Sequence, residues 1–118
     1  MKKIIISIFT VVLFISCGAF SSLNSNTSIK PNENFLLGNN EHGKFKVTLK
    51  NVSNHAIAIY FAPIEGGTYS RQTIEINQVV STKVASNTAV VIENKSSEYA
   101  SVDLKVTGDL NLGMTYNQ

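Results

Sequence analysis

The sequence predicts an all-β fold, an antiparallel β-sandwich of six or seven short strands that spans residues 35–118. Three observations support this prediction. Apolar residues recur at every second position from Lys44 onward, segments rich in Ser, Asn and Gly separate these runs, and no stretch after residue 16 has the period of an amphipathic helix. A single sheet would leave the apolar side chains of one face in water. Two sheets packed face to face are therefore expected, with an architecture like that of immunoglobulin domains.

The most regular alternation lies at residues 44–50 and 55–61, where every second side chain is apolar. Neighbouring antiparallel strands share one face, so a hairpin between these runs must place core residues opposite core residues. A two-residue loop fails this test. A three-residue loop at 52–54 sets Leu49 opposite Ile57, so the sequence predicts that hairpin, with Asn54 in the left-handed conformation that such loops require.

The same test predicts two further hairpins, with loops at residues 95–97 and 107–109. Ile74 and Ile76 indicate another strand, which residues 79–84 either extend or follow, and residues 35–37 are expected to add an edge strand. The residues expected to share one continuous core are Leu49, Ile59, Val102 and Leu104.

The N-terminus has the anatomy of an export signal. Lys2 and Lys3 form a positive leader, and residues 4–15 carry no charge. A helix of that length covers only about 18 Å, which is too short for a hydrocarbon core of roughly 30 Å. The run is therefore interpreted as the hydrophobic region of a signal peptide rather than a permanent span.

The residues that follow, Phe14-Ile15-Ser16-Cys17, resemble the lipobox of bacterial lipoprotein signals. That resemblance implies that residues 1–16 are a signal peptide and that the Cys17 thiol receives a diacylglyceryl lipid that anchors the protein in a membrane. In its organisation the chain resembles the small lipoproteins of Bacteroidota-type bacteria. Gly18 after the cysteine favours the outer membrane of a Gram-negative host.

A second processing route fits the same residues. Cys17-Gly18-Ala19 also has the small-x-small pattern of ordinary signal cleavage, which would release a soluble product. Because the chain has one cysteine, no internal disulfide is expected under either route. Residues 17–34 are rich in Ser and Asn without an apolar period, so they are predicted to form a flexible tether beyond the lipidated cysteine.

Charge and motifs argue against several classes of function. Without Lys2 and Lys3, eight basic side chains balance eight acidic ones, and no basic stripe with interleaved aromatic residues predicts nucleic-acid binding. His42 and His55 have no ligand spacing around them, so neither a metal nor another cofactor is predicted. No nucleophile, base and acid stand in a recognisable catalytic arrangement, and no catalytic residue is assigned.

The segment 63–71 is the most suggestive connection, because it joins two glycines to an aromatic residue and the one arginine of the chain. Glu65, Tyr69 and Arg71 are the candidate binding residues there, since loops on a rigid sandwich commonly carry binding sites. A simple turn is the plainer interpretation of the glycines. The outward face of the strand at 56–62 is alanine-rich and is expected either to be covered by this loop or to meet a partner.

Two classes of function remain. The favoured hypothesis is a non-enzymatic binding or assembly module at an envelope surface, which contacts an envelope protein or glycan through the 63–71 loop or the alanine-rich face. The alternative is a small envelope hydrolase or carbohydrate-active enzyme that uses a carboxylate such as Glu65 near Tyr69.

Overall fold

The computed structural model describes residues 22–117, and nine β-strands make up its regular structure. The predicted signal peptide and the predicted lipidation site Cys17 lie outside these residues. Residues 22–117 contain no helix long and apolar enough to cross a membrane. The strands are β1 (Ser22–Ile29), β2 (Glu33–Leu37), β3 (Phe45–Asn51), β4 (Ile57–Pro63), β5 (Gln72–Ile74), β6 (Val79–Val84), β7 (Thr88–Asn94), β8 (Ala100–Gly108) and β9 (Met114–Asn117).

Two antiparallel sheets pack face to face, which confirms the predicted β-sandwich. One sheet has the strand order β1-β8-β3-β6, and the other has the order β5-β4-β7-β2-β9. The first eight strands follow the order of a jelly roll, in which two Greek keys fold over each other. The likeness to immunoglobulin domains therefore holds for the architecture and not for the strand order. The described residues form nine strands rather than six or seven, because β1 was assigned to the tether and β6 is a strand of its own rather than an extension of β5.

The three predicted hairpins are wrong. β3 and β4 belong to opposite sheets, and so do β7 and β8, and β8 and β9. Among the described strands, only β4 and β5 are both consecutive and paired, with Ile57 opposite Ile74. The prediction failed because an inward-facing strand shows the same alternation whichever sheet it joins. Matching apolar positions identifies strands that share a core, and those strands need not share hydrogen bonds.

The predicted faces are correct. Every one of the four predicted core residues is buried, and β3 alternates between buried apolar residues and exposed lysines. Strand β7 is buried along its whole length, because it lies inside the five-stranded sheet and its outer face is also covered. The core comprises Ile29, Phe35, Leu37, Phe45, Val47, Leu49, Ile57, Ile59, Ile74, Val84, Val90, Ile92, Ala100, Val102, Leu104 and Val106.

The predicted tether is wrong for residues 22–34. Residues Ser22–Ile29 form an edge strand that pairs with β8 from Thr107 to Ala100, and β2 begins at Glu33. Thr27 and Ile29 are buried on the inner side of β1. An edge strand needs only one partner and one inward row, so hydrogen bonds to β8 order a sequence that is too polar to form a core of its own. The sandwich therefore starts by Ser22.

Two buried asparagines stabilise the places where the chain crosses from one sheet to the other. Asn51 ends β3, donates to the carbonyl oxygens of His55 and Ile74 at 2.9 and 3.0 Å, and accepts the amide of Ser53 at 2.9 Å. Asn94 ends β7 in the same way and accepts the amide of Ser96 at 3.1 Å. These are Asx turns, and they close the crossings where hairpin loops were predicted. Asn54 itself is not left-handed; in residues 22–117 the non-glycine residues with positive φ are Asn32, Asn77 and Asn87.

Candidate functional site

Arg71, one of the predicted binding residues, is engaged within the protein. Its Nε donates to Glu93 Oε1 at 2.7 Å, and one of its terminal nitrogens donates to Glu93 Oε2 at 3.1 Å. The same guanidinium lies over the ring of Tyr60, with 4.7 Å between the guanidinium carbon and the ring centroid. The hydrogen bonds and the charge of Glu93 raise the pKa of Arg71 above its usual value. Arg71 therefore has a structural role.

Glu93 explains why this contact forms. Its side chain projects from the outer face of β7 and is only 5% exposed, whereas the Arg71 side chain is 54% exposed. A carboxylate removed from water needs a charged or hydrogen-bonding partner. Arg71 supplies two donors from the neighbouring edge of the sheet and crosses β4 to reach it.

The alanine-rich face is covered in part by this contact. Arg71 ends the 63–71 segment and lies on Tyr60, as expected for a loop that folds back over the face. Ala56 and Ala58 remain at a shallow groove of about 350 Å³, which they line with Thr73, Glu93 and Lys95. Ala56 is exposed and Ala58 is partly exposed there, so a partner can reach this part of the predicted face.

Glu65 and Tyr69 are both exposed on the 63–71 segment. The Tyr69 amide donates to the Phe61 carbonyl at 2.9 Å, which fixes the backbone while 61% of the residue remains accessible. Gly66 and Gly67 both have positive φ, so they form the turn that the plainer interpretation required. No hydrogen bond within residues 22–117 holds the Glu65 carboxylate in a fixed position for acid–base chemistry.

The two histidines lie apart and contact backbone groups. His42 is buried, and its ring nitrogens lie 2.6 Å from the Gly43 carbonyl oxygen and 3.0 Å from that of Thr88. His55 lies against the carbonyl oxygens of Ala56 and Tyr99. Within residues 22–117, no three His, Cys, Asp or Glu side chains are grouped as metal ligands.

A cleft between Tyr99 and Tyr116 is a site that sequence reasoning missed. It has a volume of about 430 Å³ and is lined by Ser28, Lys30, Glu33, Tyr99 and Tyr116. The tyrosines are 62% and 50% exposed, and Tyr116 is supported by Phe35, whose ring centroid lies 5.2 Å away. Two exposed aromatic rings beside a hydroxyl, an ammonium and a carboxylate can combine stacking with hydrogen bonding, as binding sites commonly do.

The outer face of the four-stranded sheet is a second site with a clear chemical character. Three rows of side chains cross it: Ser22–Thr107–Lys46–Lys83, Asn24–Lys105–Thr48–Ser81 and Asn26–Asp103–Lys50–Val79. We call these twelve residues the lysine grid. The grid carries four lysines and one aspartate, and a shallow groove of about 480 Å³ runs over its Asn24, Lys50 and Lys105 side.

Strand pairing explains why sequence reasoning missed both sites. The residues of the cleft come from three separate segments, and the segment that supplies Ser28, Lys30 and Glu33 was predicted to be part of the tether. The lysines of β3 were correctly expected to face outward. Their proximity to Lys83 and Lys105 depends on β3 lying between β6 and β8, which no local pattern indicates.

No protein-family model matches the chain, and no curated protein matches its sequence. Solved structures resemble it in fold. Procruciferin, the 11S globulin of Brassica napus, superposes with a TM-score of 0.55 at 15% identity, over 80% of this chain and 22% of that one. This chain thus corresponds to about a fifth of the length of that relative.

Two smaller proteins are similar over most of their own length. PirA has a TM-score of 0.54 at 14% identity, over 71% of this chain and 93% of that one. The Yersinia pseudotuberculosis-derived mitogen has a TM-score of 0.50 at 18% identity, over 75% of this chain and 86% of that one. At these identities the likeness shows the β-rich fold alone and assigns neither a catalytic nor a non-catalytic role.

Proposed function

We propose that this chain is a lipid-anchored protein of the bacterial cell envelope whose β-sandwich is a non-enzymatic binding or assembly module. The anchor rests on the lipobox-like residues Phe14 to Cys17, with Cys17 carrying the lipid. The outer membrane is the favoured location in a Gram-negative host, because Gly18 follows the cysteine.

One structural observation supports the binding role, namely the exposed aromatic cleft of Tyr99 and Tyr116. Tyrosine is among the residues enriched at the energetic centres of interfaces, because it buries a large rigid surface and keeps a polar group. The expected partner is an envelope protein or glycan that places a flat surface against the rings. Lys30 and Glu33 then supply charged hydrogen bonds at the rim of the cleft.

The anchor is tested by intact-mass measurement of the full chain extracted from membranes. We expect a mature species that begins at Cys17 and carries added acyl mass. Cys17→Ala is expected to leave an unprocessed precursor or to release the protein from the membrane. A mature species that begins at Cys17 without acyl mass would refute the anchor.

The binding role is tested with the full chain as bait against solubilised envelope proteins and a panel of envelope polysaccharides. We expect capture of a partner to be lost in the double variant Tyr99→Ala and Tyr116→Ala. The matched control is Tyr69→Ala, which removes an equally exposed tyrosine on the 63–71 segment. If capture depends on Tyr69 and not on Tyr99 and Tyr116, the partner contacts the 63–71 segment and not the cleft. Turnover of a polysaccharide would favour the hydrolase over the binding module.

A further inference from the structure

We propose that the lysine grid is a docking surface for anionic lipid headgroups, so that the domain lies against the membrane that holds its anchor. This inference rests on the lipid at Cys17 proposed above and adds an orientation to it. The occupant is a bilayer surface rich in phosphate-bearing headgroups with net negative charge.

The first step is the separation of charge within a neutral domain. Residues 22–117 carry eight basic and eight acidic side chains, so their net charge is zero. Lys46, Lys50, Lys83 and Lys105 nevertheless lie on one sheet face, where Asp103 is the one acidic residue. The amide of Asn26 donates to Asp103 at 2.7 Å. The grid therefore has a local charge of plus three, although composition predicted no electrostatic attraction.

The second step is the direct opposition of Lys46 and Lys83. These residues are cross-strand partners on β3 and β6, and both are exposed. The Cβ atoms of directly opposed residues lie about 5 Å apart, and like charges on such residues destabilise a sheet. The one ion pair between side chains of residues 22–117 is Arg71–Glu93, so no described carboxylate neutralises either lysine. A negatively charged surface against the grid would relieve this repulsion.

The third step is the short distance between the anchor and the grid. Because β1 begins at Ser22, only four residues separate it from Cys17. Five residue steps span at most about 17 Å. Ser22 lies in the same grid row as Lys46 and Lys83, and neighbouring strands are about 4.8 Å apart. A lipid on Cys17 therefore holds this lysine row within reach of the headgroups.

The fourth step is the polar chemistry of the remaining grid positions. Thr48 and Ser81 share a hydrogen bond of 2.9 Å in the middle row, and Asn24 presents an exposed amide at the β1 end of that row. Hydroxyl and amide donors with ammonium groups suit phosphate oxygens, and clustered lysines near a membrane are attracted to anionic lipid. The face has no aromatic residue, which distinguishes it from the Tyr99–Tyr116 cleft.

The test uses the full lipidated chain reconstituted into vesicles. Lipid on Cys17 leaves no free thiol, so an introduced cysteine is the single labelling site. One variant, Ser81→Cys, carries a fluorophore in the grid. Its control, Thr73→Cys, carries the fluorophore on the exposed outer side of the other sheet. Two kinds of vesicle are used, one of phosphatidylcholine alone and one of phosphatidylcholine mixed with phosphatidylglycerol. Both contain a lipid with a quencher attached to its headgroup.

We expect strong quenching of the Ser81 probe in vesicles with phosphatidylglycerol, and weak quenching in phosphatidylcholine or at high salt. The Thr73 probe should show weak quenching in all conditions. Lys46→Gln with Lys83→Gln should abolish the anionic-lipid effect at Ser81. The control pair, Lys30→Gln with Lys95→Gln, removes the same charge outside the grid and should keep the effect. The double variant Lys46→Gln with Lys83→Gln removes the like-charge repulsion, so its unfolding temperature should be no lower than that of the wild-type protein.

Two different results would overturn the proposal and identify which part failed. Protein that floats with vesicles and shows equal quenching at Ser81 and Thr73 retains its anchor but does not dock through the grid. Protein without acyl mass that fails to float lacks the anchor, and the docking inference then fails together with the proposed function.

Discussion

Arg71 spans strand β4 to bind both carboxylate oxygens of Glu93, at 2.7 and 3.1 Å, while its guanidinium lies on Tyr60. The contact joins an exposed cation to a buried anion across the outer face of the five-stranded sheet. Sequence reasoning placed Arg71 at a partner's surface. The structure assigns its charge to the protein's own fold.

Arg71→Gln is expected to lower the thermal unfolding midpoint, because it leaves the buried Glu93 carboxylate without its cation. The double variant Arg71→Gln with Glu93→Gln should be more stable than Arg71→Gln alone, since two neutral amides can share hydrogen bonds. A double-mutant cycle by chemical denaturation measures the coupling. If the losses of unfolding free energy in the two single variants add up to the loss in the double variant, the two side chains do not interact directly. Lys95→Gln is the control for removal of a nearby positive charge.

Core substitutions should be costly in both sheets. Leu49 on β3 and Ile59 on β4 are almost completely buried, and alanine at either position should cost about 2–5 kcal/mol of unfolding free energy. Lys105→Ala, on the outer face of β8, should be nearly silent. Urea denaturation with a constant m-value checks all three variants. A lysine effect as large as the leucine effect would contradict the observed faces.

The asparagines at the sheet crossings should be as important as core residues. Asn51 is fully buried and serves two carbonyl oxygens and one amide, so Asn51→Ala should cost on the order of 3 kcal/mol. Asn94→Ala removes a similar set of bonds at the β7–β8 crossing and should have a similar effect. Asn54→Ala, at an exposed position of the first crossing, is the control. If Asn51→Ala and Asn54→Ala have the same denaturation midpoint, Asn51 does not have this role.

Asp109 should make stability sensitive to acid. The amides of Asn111 and Gly43 donate to its carboxylate at 2.9 and 2.6 Å, and they lower its pKa below the ordinary value of 3.8. A carboxylate whose pKa is lower in the folded state stabilises the protein above the unfolded pKa. That contribution is lost as the pH falls through the folded pKa.

The measurement for Asp109 is the unfolding midpoint of wild-type protein and Asp109→Asn over a pH series. The wild-type advantage should be present at neutral pH and should shrink as the pH falls below about 4. An advantage that persists unchanged in strong acid would show that the charge of Asp109 is not responsible. Measurement at two salt concentrations separates the backbone hydrogen bonds from the weaker charge interaction with His42, because salt screens only the latter strongly.

The sequence by itself determined which side chains face the core and which face water. Alternation at period two is a property of each strand alone, so Leu49, Ile59, Val102 and Leu104 were assigned correctly before any pairing was known. The positions of chain reversal were also largely readable, because Asn and Ser favour turns through local hydrogen bonds. The export signal and Cys17 stay predictions, since they rest on the sequence of residues outside the structure.

Only the tertiary structure decided which strands lie side by side. In this jelly roll, all consecutive strands except β4 and β5 lie in opposite sheets, as the strand orders show. Both sheets present the same alternation to a shared core, so local patterns cannot distinguish a partner within one sheet from a partner across the core. The same long-range choice brings Arg71 to Glu93, the segment 28–33 to the two tyrosines of the cleft, and Lys46 to Lys83. It also orders residues 22–29 as a strand, because their hydrogen-bond partners lie more than seventy residues away on β8.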